Sequence, residues 1–316
     1  MFGGKLKYYL LMHMVIFIWG FTGVLGKLLD NVPVHAIVFY RMLIGFLAIG
    51  VFMLIARKKF TLKGKSLLKV SGTGVLIAGH WITFFASIYY SNVSFALVFF
   101  STTALFTSFI EPVLMKKKFN PAELIMAIVV VGGISIIAYD AMAHEDSITN
   151  ENLNYGLAIG CALISAFLAA SFSVINAIFV RDIDSYQISF VELMSGCIAI
   201  GIVYFATGDF SNGELILTWE EFGLLLILGS VCTAFAFLLG NWLMKFISPF
   251  TMNLSVNMEP IYAILIALFI FPDSEVMTPI FYIGAGIIIG AVVFNGIVTS
   301  QRNKRKGKAI TETTAS

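Results

Sequence analysis

Apolar residues fill blocks of about twenty positions along this chain, and the polar residues collect in the short gaps between them. From residue 70 to residue 110 there is no Asp, Glu, Lys or Arg. At about 1.5 Å per residue that run crosses a hydrocarbon core of roughly 30 Å twice. The pattern predicts ten spanning helices, at residues 8–29, 35–56, 68–90, 93–114, 123–141, 155–180, 186–207, 220–243, 249–271 and 278–300. Pro33, Pro121, Pro249, Pro272 and Pro279 fall in gaps or first turns, where a missing N–H costs little. Pro112 lies near the end of the fourth span, and Pro260 alone sits in the middle of one.

The blocks are written twice. Residues 38–50 (VFYRMLIGFLAIG) return as 189–201 (SFVELMSGCIAIG), with Phe39/Phe190, Gly45/Gly196, Ala48/Ala199, Ile49/Ile200 and Gly50/Gly201 identical. An offset of 151 carries the first and second spans onto the sixth and seventh and pairs Phe21 with Phe172. An offset of about 156 pairs the third and fourth with the eighth and ninth, placing Thr103 opposite Glu259. An offset of 158 pairs Pro121 with Pro279 and Gly132 with Gly290. Five helices per copy is an odd number, so the second copy enters the membrane upside down, as in secondary transporters. The expected fold is all-α and polytopic: ten transmembrane helices in two inverted five-helix repeats. The expected divisions are 1–141, an extracytoplasmic linker at 142–154, 155–300, and a basic tail at 301–316.

Composition closes off the soluble alternatives. The chain is 59% hydrophobic and 12% charged, with a mean hydropathy of +0.93, against roughly 25% charged residues in globular domains. With the N-terminus inside, 18 of the 20 basic residues fall in cytoplasmic segments and none in the outer loops, which predicts cytoplasmic termini. The first apolar run is too long for a cleaved leader and reads as a helix. Cys161, Cys197 and Cys232 lie in apolar segments without CxxC spacing, so neither a disulfide framework nor a metal site is suggested. HExxH, GxSxG and P-loop patterns are absent, and neither an enzyme activity nor a cofactor is expected. The net charge of +2 gives no sign of a nucleic-acid partner.

Ionisable residues inside the spans are the first site candidates, because they are costly in hydrocarbon unless paired, neutralised or facing water. Glu259 stands near mid-depth beside Pro260, which frees a carbonyl one turn back. With Asn257 it forms a polar midplane spot suited to substrate or a coupling proton. The alternative is a kinked helix with a structural Glu. His80 and Trp81 are also near mid-depth; a proton or substrate site competes there with a histidine bonded to a backbone carbonyl. Arg41 and Glu192 occupy one repeat position with opposite signs, but inversion sets them about 12 Å apart in depth, which argues against an ion pair. Arg41 and Lys27 then mark an outer vestibule, and Glu192 and Glu111 an inner one. Arg41 also joins Trp19, His80, Trp81, Ser101, Asn257 and Glu259 as a substrate-binding candidate. Thr22, Ser171, Ser173 and Ser255 line a cavity or permit close packing. Glycines 132, 133, 284, 286 and 290 admit a homodimer contact through the fifth or tenth helix. The basic tail is expected beside anionic lipid of the bilayer.

Two five-helix halves, Trp19 and Gly20 in the first helix, Tyr40 and Arg41 in the second, and Met258, Glu259 and Pro260 in the ninth together resemble the drug/metabolite transporter superfamily, EamA type. Ala104 stands where that family usually has a proline in the fourth helix, and Lys117 or Lys118 where it has a glutamate. Glu275, near the end of the ninth segment, fits better. The resemblance implies a gradient-driven carrier of small metabolites such as amino acids or amphipathic compounds, often exported, in the inner cell membrane. An anionic substrate bound by Lys27 and Arg41, and a non-transporting membrane enzyme or scaffold, stay as alternatives.

Overall fold

The computed structural model describes residues 3–119, 153–207, 216–256, 258–270 and 278–291, with isolated positions from 121 to 140 and from 293 to 297. The regular elements among them are helices: α1 (Gly3–Leu28), α2 (Val34–Ile55), α3 (Gly64–Tyr89), α4 (Val93–Phe100), α5 (Thr103–Met115), α6 (Tyr155–Phe179), α7 (Ser185–Thr207), α8 (Trp219–Leu243), α9 (Pro249–Val256), α10 (Glu259–Ile270) and α11 (Pro279–Ala291). Seven stretches of the described residues are long and apolar enough to cross a membrane, α4 and α5 counting together as one. Most of the fifth expected span, the acidic connection, Asn257, Glu275 and the basic tail lie outside the described residues.

Local chemistry sets the helix starts. Asn92 accepts the Phe95 N–H at 2.8 Å to begin α4, and Ser248, its partner at an offset of 156, accepts the Thr251 N–H at 3.2 Å to begin α9. Asn154 caps α6 through Leu157, and Thr218 with Glu221 forms a reciprocal capping box on α8. Pro33 precedes α2.

The fourth and ninth spans are both broken, at equivalent points. α4 ends at Phe100 and α5 begins at Thr103; α9 ends at Val256 and α10 begins at Glu259. The sequence predicts a kink at Pro260 but not the break in the fourth span. There Ser101, Thr102 and Thr103 donate their hydroxyls to the carbonyls of Val98, Phe99 and Phe100 at 2.5, 2.8 and 2.6 Å. Each bond satisfies a carbonyl three residues back and so competes with continuous helical pairing.

Packing runs chiefly between the halves. α3 lies against α6 and α7, and α2 against α7 and α8. The repeated glycines explain the close approach. A Cβ on Gly45 would stand 3.1 Å from the Thr233 side chain and one on Gly229 only 2.6 Å from Ile44, where α2 meets α8. The reciprocal seam joins α7 to α3: a Cβ on Gly196 would come within 2.7 Å of the Gly74 carbonyl, and one on Gly74 within 2.2 Å of the Glu192 carbonyl. Neither seam admits a side chain. Gly133 and Gly284 similarly face each other within the chain, whereas Gly286 and Gly290 meet open space. Leu54, Val113, Phe205 and Phe269 point outward, while Arg41, Asn176, Glu192, Asn241 and Glu259 are buried. That inside-out distribution suits lipid as the surrounding solvent.

Candidate functional site

A cavity of about 90 Å³ lies between the two halves. One water needs roughly 10–15 Å³ by this kind of measure, so the space admits several waters or a small solute. Its wall is built from repeat-related positions. Thr22 and Ser173 stand at an offset of 151; Trp81 and Phe237, Phe84 and Gly240, Phe100 and Val256, and Thr103 and Glu259 stand at 156. The cavity therefore sits where the two copies face each other, and each contributes alternate parts of the same wall.

Arg41 projects into it from α2 and is 2% exposed. Its guanidinium carbon lies 3.9 Å from the centre of the Trp81 ring, a desolvated cation–π contact. Its Nε donates to Thr233 Oγ1 at 2.6 Å. Thr233 belongs to a π-helical stretch of α8, Leu228–Phe235, and donates its own hydroxyl to the Leu228 carbonyl five residues back. The widened turn thus aims Thr233 at Arg41. Among the described residues Arg41 Nη1 has no hydrogen-bond partner. Arg41 therefore belongs to the cavity and not to an outer vestibule: the stacking on Trp81 and the bond to Thr233 turn the side chain inward instead of letting it snorkel.

Glu259 is the first residue of α10, 5% exposed, and lines the same cavity. Among the described residues its carboxyl makes neither a hydrogen bond nor an ion pair. Thr103, the first residue of α5, lines the same cavity. Two half-helices thus start at the cavity, and their N-termini bring partial positive charge to it.

His80 Nδ1 lies 3.1 Å from the Ser165 carbonyl and 2.8 Å from its hydroxyl. Because the Ser165 hydroxyl donates to the His80 carbonyl at 3.2 Å, Nδ1 carries the hydrogen and Nε2 is the remaining ring nitrogen. The ring stacks on Phe100 at 5.3 Å. Trp19 enters the wall over Gly240, where a Cβ would stand 3.2 Å from the indole. Its neighbour Gly20 lets α1 approach α10, with a Cβ there 3.1 Å from Tyr262 and 3.7 Å from the Glu259 carbonyl. The Trp-Gly pair accordingly has two jobs, one residue lining the cavity and the other admitting the helix that carries Glu259.

The structure brings Trp19, Arg41, His80, Trp81 and Glu259 together around one space. Ser101 stands apart: it is buried in the break and spends its hydroxyl on Val98. Asn257 lies outside the described residues. Lys27 lies at the end of α1 in a separate pocket with Asp30, Asn31 and Tyr89. Glu192, expected at an inner vestibule, is instead fully buried among Asn176, Asn241 and α3, because the Gly74 seam draws α3 over it. Glu111 pairs with Lys117 at the end of α5, and Ser171 bonds its own helix at Phe167. Thr233, Asn241 and Asn253 escaped the sequence reading. Asn253 donates to Thr107 at 2.8 Å and accepts from Ser173 at 3.1 Å, fixing a polar edge of the cavity. A polar residue in an apolar run was the available signal for Thr233 and Asn241, and the alternation Thr251, Asn253, Ser255 was the signal for Asn253.

The family model described as the EamA-like transporter family matches residues 6–139 and, a second time, residues 156–297. A solved crystal structure is similar over 92% of this chain and 96% of that one, with a TM-score of 0.65 at 15% identity, a likeness of fold. No curated protein matches the chain.

Proposed function

The chain belongs to the EamA-like transporter family, and we propose that it carries small zwitterionic metabolites with an apolar body, amino acids above all, by alternating access around the central cavity. The observation that supports this most is a cation and an acid that, among the described residues, make no ion pair, in one aromatic-walled space. Arg41 offers a free N–H edge for a carboxylate, Glu259 an acceptor for an ammonium, and Trp19, Phe84, Phe100 and Phe237 an apolar surface between them. Had the two side chains paired with each other, a substrate would have to break that pair before binding. The N-termini of α5 and α10 add to the attraction for the carboxylate.

The wider frame is ten spans in two inverted halves, both termini cytoplasmic, in the inner cell membrane, with export driven by an ion gradient. The reciprocal α2–α8 and α7–α3 seams favour a two-fold relation between halves, and the distribution of Lys and Arg favours the orientation. The test is counterflow in liposomes with purified protein across amino acids, organic acids and nucleosides. Saturable exchange of zwitterions, weakened by either Arg41→Ala or Glu259→Ala, is expected. Exchange of organic acids alone, indifferent to Glu259, would instead identify an anion carrier. Absence of any exchange from folded protein would sink the transport reading.

A further inference from the structure

Glu192 is 0% exposed and does not line the cavity, yet it is one residue away from it. Its Oε2 accepts from Asn176 Nδ2 at 3.3 Å and from Asn241 Nδ2 at 3.4 Å. Asn176 Nδ2 also donates to Asn241 Oδ1 at 3.1 Å, and Asn241 Nδ2 to Ser189 Oγ at 3.0 Å. All the amide hydrogens are then engaged, while among the described residues Glu192 Oε1 and Asn176 Oδ1 have no partner. The cluster's remaining donor, the Ser189 hydroxyl, makes no bond to either oxygen, so both stay short of a donor. A side-chain amide can be turned over without curing that shortage, because both amides already donate as much as they can.

Among the described residues no cation makes up the difference. The ionisable groups on the helices packed around Glu192 are His35, Tyr40 and Arg41 on α2, Lys65, Lys69, His80 and Tyr89 on α3, Cys161 and Tyr155 on α6, Glu220, Glu221 and Cys232 on α8, and Tyr186, Cys197 and Tyr204 on α7. Arg41 is bonded to Thr233 and stacked on Trp81, and His80 is bonded to Ser165. None of these groups is bonded to or ion-paired with the Glu192 carboxyl. A bare carboxylate there would be both uncompensated in charge and short of donors. One proton on the carboxyl removes the charge and supplies the missing donor together.

We propose that Glu192 is a proton-binding site, occupied in this conformation and linked to the cavity through Asn241. Asn241 is the one member of the cluster that also lines the cavity. A solute that recruits the Asn241 amide withdraws a donor from Glu192 Oε2, so solute occupancy and proton occupancy affect each other, and by linkage they do so equally in both directions. This inference rests on the transport reading for its role, though not for the proton itself.

Two measurements separate them. In the first, hydrogen–deuterium difference infrared spectra are taken of the protein in lipid bilayers at neutral pH. A carboxylic-acid carbonyl band should be present in the wild type, absent from Glu192→Gln, and unaffected by Glu145→Gln. Superimposable spectra of wild type and Glu192→Gln would overturn the site. Should Glu192→Gln fail to fold, Asn241→Ala must shift the same band, since one of its donors is gone; an unmoved band overturns the link. In the second, liposomes measure counterflow without a gradient and flux under a pH gradient. A gradient should accelerate the wild type by about fivefold or more, in the range of ordinary coupling, and Glu192→Gln hardly at all, with counterflow retained in both. Acceleration that survives in Glu192→Gln overturns coupling at this residue. An infrared band with no counterflow from the wild type would keep the proton site and discard the transport reading.

Discussion

The two broken spans are built on one plan and finished with different chemistry. α4 and α9 are each eight residues long, each starts at a side-chain cap, and each stops three positions before the residue that opens the next half-helix. In the first half that residue is Thr103 and in the second it is Glu259. The first break is held by three hydroxyls bonded back to carbonyls, the second by a proline that has no N–H to give. The difference teaches that the break itself is the inherited part. What was changed afterwards is the group presented at its edge, neutral on one side and acidic on the other.

If that is right, the largest effect should come from the acid. Glu259→Gln keeps the shape and removes the ionisation; flux in liposomes should fall about tenfold or more, with the protein still folded by gel filtration. Thr103→Val at the equivalent point should cost no more than about threefold in the same assay. Equal losses in the two would mean that the symmetry of the site matters more than its charge.

Healing the breaks should come next. Replacing Ser101, Thr102 and Thr103 together with Ala withdraws every hydroxyl that competes with the helix, and Pro260→Ala restores a donor worth up to about 3 kcal/mol of helix propensity. Both variants should be at least as thermostable as the wild type and slower in counterflow by about three- to tenfold. Faster counterflow in either would show that the breaks are not needed for turnover.

Smaller again are the caps. Asn92→Ala and Ser248→Ala should each lower stability by about 1 kcal/mol in a thermal unfolding assay, with flux per folded molecule unchanged. Ser171→Ala should change nothing, since its hydroxyl bonds only its own helix on the exposed side.

How far the sequence could lead is visible in the same two regions. Helix positions follow from apolar length: for the second, fourth, sixth, seventh and eighth spans the observed ends lie within about one residue of those expected, as with Val34–Ile55 against 35–56. The ninth break was foreseeable because proline has a fixed backbone consequence. The fourth was not, because serine and threonine sit comfortably in many helices and only their carbonyl partners decide. Arg41 was named as a substrate-binding candidate, but its placement at an outer vestibule missed for a related reason: depth was reckoned along the helix axis, whereas the side chain is turned inward by Trp81 and Thr233. The π-helical turn that delivers Thr233 has no residue signature, since it depends on how Gly229 lets α2 approach α8. Glu192 was placed by distance from a membrane face, and its burial depends on a glycine in another helix, Gly74.

The crossed glycine seams have a consequence for inheritance. Gly45 answers to Gly229 and Gly196 to Gly74, so these two seams join one half to the other. A substitution that thickens a helix at either seam presses on the opposite copy, which must make room. Chimaeras that exchange whole halves between distant relatives should therefore assemble poorly, even where each half is intact. Ancestrally, two separate chains with such seams would have functioned only as a pair, and fusing them into one reading frame would have guaranteed their stoichiometry.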